Sequence, residues 1–197
     1  MAPSERRAER ARRPYAGIGS REAPEDVLTH MEALAERLAR AGWVLRSGAS
    51  PGSDQAFYRG ARSGGGRVEL YLPWPGFEAD SWREADAAEL SVLERPSEAA
   101  CELAARLRPD WQRLDGCARR LLARDGHEVL GAELDSPASF VACWTADGTL
   151  DGSGRGVDGT RQALGIVHDH GIPVFNLARP DHLRRMLDVQ AEGCVPS

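Results

Sequence analysis

Short apolar runs alternate with helix-periodic runs along most of this chain, and that alternation leaves few folds open. Tyr15 to Ile18 reads as a first strand, followed by Gly19-Ser20-Arg21. Pro24 suits the opening turn of a helix, and Glu25 and Asp26 suit its positive end. Val27, Met31, Leu34 and Leu38 then recur at helical spacing up to Gly42. Trp43 to Leu45 reads as a second strand, Asp54 to Arg62 as a short helix ended by Gly64-Gly65-Gly66, and Val68 to Leu72 as a third strand. Successive strand-helix-strand units predict a parallel sheet with helices on both faces.

Residues 78–125 read differently. They are mostly helix-like, divided by Pro96 and Pro109, with Leu103, Leu107, Trp111, Leu114, Leu121 and Leu122 as apolar anchors. We expect a helical insertion on the sheet here. The alternation then returns. Glu128 to Leu130 reads as a short edge strand and Ser139 to Trp144 as a buried central one. Gly159 to His170 reads as a helix, Pro173 to Leu177 as the last strand and Asp181 to Leu187 as a closing helix. The expectation is an α/β, Rossmann-like three-layer fold with a mostly parallel sheet. Residues 14–188 form its single domain, between a basic flexible tail at 1–13 and a loose tail at 189–197.

Composition narrows the chemistry. The 197 residues include no lysine, so all 25 basic residues are arginine. That excludes a Schiff-base lysine, a lysine general base and a P-loop lysine. No apolar run approaches the ~20 residues of a membrane span, and MAPSERRAERARRP has no apolar signal core. Cys101, Cys117, Cys143 and Cys194 form no C-x-x-C pair, which is expected of reduced thiols in a cytoplasmic protein. Residues 1–13 hold five arginines against two glutamates. With −5 overall, the rest carries −8, which disfavours a broad nucleic-acid footprint. A weak nucleic-acid contact through the tail stays open, beside its reading as a solubilising segment.

Ligands of open parallel sheets bind at strand carboxyl ends. Three loops there have unusual composition: Gly17 to Arg21, Arg46 to Phe57, and Trp144 to Thr160. Glycine allows close backbone approach, and helix N-termini offer free N–H groups to anions. The dinucleotide fingerprint is incomplete, because Glu22 stands where its third glycine belongs, so NAD is disfavoured. Arg46 in the second loop suits a phosphate better than a ribose diol.

The runs YAGIGSREAP, GWVLRSGASPGSDQAFYRGA and LYLPWPGF, followed by VLGAELDSPASFVACWTADG, DGTRQAL and GIPVFNL, together carry a likeness. In this order the chain resembles the SLOG superfamily across residues 15–177. Its nearest members are Rossmann-like proteins, often of bacteriophages, that are similar to the DNA-processing recombination mediator. The resemblance implies a nucleotide or nucleotide-derived ligand, such as a nucleotide-sugar. Gly17, Gly19, Ser20 and Arg21 match its first phosphate-facing loop, and Ser47, Gly48, Gly52, Ser53 and Asp54 its second, usually glycine-richer motif. Arg124 matches an arginine that relatives follow with asparagine, here Asp125. Gly159 and Thr160 match a helix-opening Gly-Gly-Thr, here preceded by Asp158.

Each of these residues has a plainer alternative. Asp54 orients a ribose or caps a helix. Arg21 and Arg46 clamp a phosphate or pair at the surface. Trp144, with Thr145 beside it, stacks on a base or packs in the core, as do Trp74 and Phe77. Asp147, Asp151 and Asp158 hold Mg²⁺ through waters or form turns. His168 and His170 do not share a helix face, so no metal site is expected there.

Three functions are compatible. The first is a nucleotide sensor or ligand-capture protein. The second is an N-glycosidic-bond hydrolase or transferase on nucleotides, after the distant Lonely Guy phosphoribohydrolases. Their glutamate three residues past Gly-Thr is here Ala163, so no catalytic residue is assigned, and no cofactor is assigned beyond the Mg²⁺ left open at the aspartates above. The third is a single-strand DNA binder like the recombination mediator. Homo-oligomerisation is compatible with all three.

Overall fold

The computed structural model describes residues 13–83, 89–153 and 159–192. Six parallel strands form one sheet: β1 (Pro14–Gly17), β2 (Val44–Ser47), β3 (Val68–Tyr71), β4 (Leu90–Leu93), β5 (Val141–Cys143) and β6 (Val174–Asn176). Their spatial order is β4-β3-β2-β1-β5-β6, and every pairing is parallel. Six helices cover it: α1 (Glu25–Arg40), α2 (Ser53–Ser63), α3 (Glu98–Leu107), α4 (Gly116–Leu130), α5 (Gly159–Asp169) and α6 (Pro180–Glu192). Helices α1, α2 and α6 pack on one face, and α3, α4 and α5 on the other. This is the expected Rossmann-like three-layer α/β fold. Among the described residues, no helix is long and apolar enough to cross a membrane.

The strand alternation sorts the core into two layers, because successive side chains point to opposite faces. Tyr15 joins Leu45, Phe57, Met31 and Phe175 under α1, α2 and α6. Ala16 and Ile18 join Val141, Cys143, Leu164 and Val167 under α4 and α5. Phe140 centres the first layer, stacked on Tyr15 at 5.4 Å and edge-on to Trp43 at 5.2 Å and to Phe175 at 5.8 Å. Each buried ring or branched aliphatic side chain contributes roughly 1.5–3 kcal/mol.

Three expectations need correction. Leu90–Leu93 is a strand within the segment read as helical. It is a half-exposed edge strand flanked by charged residues, so it shows no continuous apolar run. Glu128 to Leu130 is the last turn of α4, not an edge strand. No proline lies between Leu122 and Gly131, and the helix continues through Gly126. The closing helix runs to Glu192, past the expected end at Leu187.

Local chemistry starts and stops the helices. The Ser97 side chain accepts from the Ala100 N–H at α3, and Asp115 accepts from the Ala118 N–H at α4. Helix α1 has no side-chain cap, but Glu25 and Asp26 lie in its first turn and Arg37 and Arg40 in its last. At the end of α5 the His170 ring lies 2.8 Å from the Ile166 carbonyl, so that histidine serves the helix terminus.

Helices α1 and α2 approach so closely at Gly60 that a Cβ there would overlap the Glu32 carbonyl oxygen. A backbone atom cannot swing away. Gly60→Ala is therefore expected to cost about 1–3 kcal/mol of stability, read as a lowered urea midpoint with unchanged slope. A loss below a few tenths would mean that the two helices slide apart freely.

Candidate functional site

The chain leaves β1 toward β2 on one side, while β5 pairs on the other side of β1. Their carboxyl ends therefore flank the topological switch point, where open α/β sheets bind ligands. A cavity of about 560 Å³ opens there. Ile18 to Glu22 line it from the loop after β1, Ser50 and Asp54 from the loop and helix after β2, and Gly159, Thr160 and Ala163 from α5. Helix α4 supplies the remaining inner wall with Leu122, Arg124, Asp125 and Glu128, and Arg108 and Asp110 line it just before that helix.

The run Leu122 to Leu130 is buried throughout although it contains Arg124, Asp125, His127 and Glu128. Arg124 donates to the Gly48 carbonyl and, at 2.9 Å, to Ser50 Oγ. Its guanidinium lies 3.7 Å from Asp54, 3.6 Å from Asp125 and 3.5 Å from Glu128, and 5.7 Å over the Phe77 ring. One buried cation thus faces three buried carboxylates. Burial pulls the Arg124 pKa down, but Glu128, Asp54 and Asp125 together outweigh it and the guanidinium is held charged. Burial raises Asp54, opposed by Arg124, by hydrogen bonds from Ser50 and by Arg21. Burial pushes Glu128 up to about 8; Arg124 opposes this and the Asp54 charge adds to it. Near neutral pH burial therefore biases the Asp54 and Glu128 carboxyls toward sharing a proton.

Gly48 makes the cluster possible. A Cβ there would overlap both the Arg124 guanidinium and the Glu128 carboxylate. Gly52, at φ 83°, opens α2, and a Cβ on it would stand 2.8 Å from the Arg21 backbone. The loops after β1 and β2 close on each other there.

Of the residues singled out in the sequence, Gly19, Ser20, Arg21, Asp54, Arg124, Asp125, Gly159 and Thr160 line the cavity. The others do not. Arg46 is buried and donates to Glu69 at 2.7 Å and to the Ser136 carbonyl, so it is a structural tie rather than a phosphate clamp. Ser47 Oγ donates to the Gly17 carbonyl at 2.7 Å, and Ser53 Oγ to the Ser20 carbonyl at 2.9 Å. Both hydroxyls fasten loops together. Gly17 is a packing glycine, since a Cβ would meet the Phe57 ring at 2.6 Å. Trp144 packs against the core under α1 and α2. Thr145 is held by Asn176, whose Nδ2 donates to Thr145 Oγ1 at 2.7 Å and to the Thr149 carbonyl at 2.8 Å.

Asp147 and Asp151 form turns. Asp147 accepts from the Thr149 N–H, and Asp151 from the Ser153 N–H and hydroxyl. Among the described residues, no group of three His, Cys, Asp or Glu side chains is arranged to hold a metal. Asp158 and residues 1–12 and 193–197 lie outside the described residues.

Sequence reasoning missed Glu128, Ser50, Glu22, Arg108 and Asp110. For Glu128 a signal existed: it is four residues past Arg124, on the same helical face. Arg108 and Asp110, joined by two hydrogen bonds of 3.0 and 3.2 Å, had none.

Fold and site together define a Rossmann-like α/β chain with a charged cavity at its switch point. No family profile matches the chain, and no curated protein does. Solved structures similar to it include the Moco carrier protein of Chlamydomonas rheinhardtii, at 15% identity and TM-score 0.49, covering 93% of this chain and 86% of that one. DNA processing protein A of Streptococcus pneumoniae is 16% identical at TM-score 0.42, covering 93% of this chain and 62% of that one. DNA processing protein A of Helicobacter pylori, described with a single-stranded DNA binding mode, is 14% identical at TM-score 0.41, covering 91% and 80%.

Proposed function

We propose that the chain binds a nucleotide or nucleotide-derived ligand in the switch-point cavity, as a sensor or ligand-capture protein. The carrying observation is the convergence of eight sequence-selected residues from four separate segments on one cavity of about 560 Å³. That volume lies within the range of small-molecule sites, about 300–1,000 Å³. Arg21, exposed at the rim, makes no hydrogen bond or ion pair among the described residues, so its guanidinium is available to an anion. The α5 N-terminus at Gly159 and Thr160 adds backbone donors.

The test is a thermal-shift panel of AMP, GMP, ADP-ribose, cyclic nucleotides, NAD and a short single-stranded oligonucleotide. A ligand at 100 times its Kd adds ~2.7 kcal/mol, roughly 5–10 °C for a chain of this size. Arg21→Ala is expected to leave the unliganded melting temperature unchanged and to weaken binding about tenfold. Absence of a shift with every nucleotide overturns the reading. A shift with the oligonucleotide alone moves it to nucleic-acid binding.

One observation favours a second reading, hydrolysis of an N-glycosidic bond. Ala163 stands where the resembling phosphoribohydrolases carry glutamate, yet Glu128 enters the same cavity from α4. A carboxylic acid protonated near pH 7 beside other carboxylates is a pairing that glycoside cleavage uses, one to protonate the leaving base and one to stabilise the sugar cation. Nucleoside monophosphates incubated with the protein at pH 6.5 would then release free base, and Glu128→Gln would abolish release. No free base after prolonged incubation excludes it.

A further inference from the structure

The cavity is polarised along its depth. Its inner end holds Asp54, Asp125 and Glu128 around Arg124, and its rim holds Arg21, Glu22 and the Arg108–Asp110 pair. Among the described residues, five carboxylates and three guanidiniums line it. At the inner end the only cation among the described residues, Arg124, already faces three carboxylates and donates to Gly48 and Ser50. A phosphate placed there would add negative charge to an excess of negative charge in a low-dielectric site. An ammonium group would compete with the Arg124 guanidinium that already occupies the space between the three carboxylates. Uncharged hydrogen-bond donors pay neither cost. Buried carboxylates also need donors, because a buried polar atom left without a partner is costly. Glu128 Oε1, 3.5 Å from Arg124 Nε, is such an atom, with no hydrogen-bond partner among the described residues.

Resting on the nucleotide reading above, we infer that the inner end of the cavity is a subsite for neighbouring hydroxyl groups, of the kind a ribose 2′,3′-diol presents, with Glu128 as an acceptor. The anionic end of the same ligand then lies outward, at Arg21. This orientation makes the site selective for ribonucleotides over deoxyribonucleotides. A site built to hydrogen-bond a hydroxyl rejects the analogue without it, since the buried acceptor is then left unpaired.

The experiment is isothermal titration of the full chain with the four ribonucleoside 5′-monophosphates and their 2′-deoxy counterparts. The expected result is a Kd about tenfold or more weaker for the deoxy member of the pair that binds. Glu128→Leu, which replaces a buried acid by an apolar group of similar size, is expected to shrink that ratio to about threefold or less. Arg21→Ala is expected to weaken both members equally and keep the ratio. Equal Kd values for ribo and deoxy ligands overturn the diol subsite and leave the nucleotide reading standing. Binding of neither set overturns both. If Glu128→Leu does not fold, the wild-type ratio and the Arg21→Ala ratio still decide.

Discussion

Arg124→Met is expected to lower the unfolding free energy by about 3–5 kcal/mol, the usual cost of removing one partner from a buried ion cluster. The cause is what remains. Asp54, Asp125 and Glu128 are each about 2% exposed, and the substitution leaves them facing one another without their shared cation. The Gly48 carbonyl and Ser50 Oγ lose a donor as well. Methionine preserves the packing over Phe77, so the loss isolates charge from volume. Urea unfolding at pH 7 checks it, and Arg124→Met with Glu128→Leu is expected to recover part of the loss. A loss under about 1 kcal/mol would mean that the carboxylates shed their charge by protonation at little cost.

The second large effect is on pH. Burial raises Glu128 from its ordinary value of 4.5 to about 8. Between those two values the folded state holds a proton that the unfolded state has released. The sign follows: the contribution is fully present below about pH 4.5 and is lost as pH rises through about 8. Asp54, also raised, acts in the same direction. Among the described residues, Glu128 meets Arg124 on its own helix, Asp54 from α2, Tyr71 from β3 and Gly48 from the loop after β2.

Glu128→Gln removes the titration and keeps the shape. Its stability is expected to match the wild type near pH 5 and to exceed it by a few kcal/mol, on the order of one per pH unit crossed, near pH 9. The difference between the two proteins cancels histidine titrations common to both. Parallel pH profiles would show that Glu128 is ionised throughout.

Much of the fold was legible in sequence because its signals are local. Val27, Met31, Leu34 and Leu38 repeat at helical spacing and all face the core. Ser139 to Trp144 contains the central strand Val141–Cys143, apolar because helices cover both its faces. The missed strand has a nonlocal cause. Leu90–Leu93 is an edge strand whose only partner is β3, 20-odd residues earlier, and its own side chains are half exposed. Its strand character comes from hydrogen bonds to another segment, which local pattern does not carry.

The site divides in the same way. Glycine, serine and aspartate after β1 and β2 mark two loops that line the cavity. The division of labour among those residues was not written locally. Ser47, Ser53 and Arg46 have the chemistry of phosphate ligands, yet neighbours distant in sequence, Gly17, Ser20, Glu69 and Ser136, consume their hydrogen bonds. Glu128 has the chemistry of a surface helix residue and becomes a buried acid because Gly48, 80 positions earlier, leaves room for it.

The sequence by itself determined the α/β class, the parallel sheet and two of the loops that line the cavity, because hydrophobic period, glycine placement and helix-end charge act over a few residues. Tertiary structure alone decided which polar groups stay available and how the buried ones are charged. Those properties depend on distance and burial between segments far apart in the chain, and no local pattern encodes them.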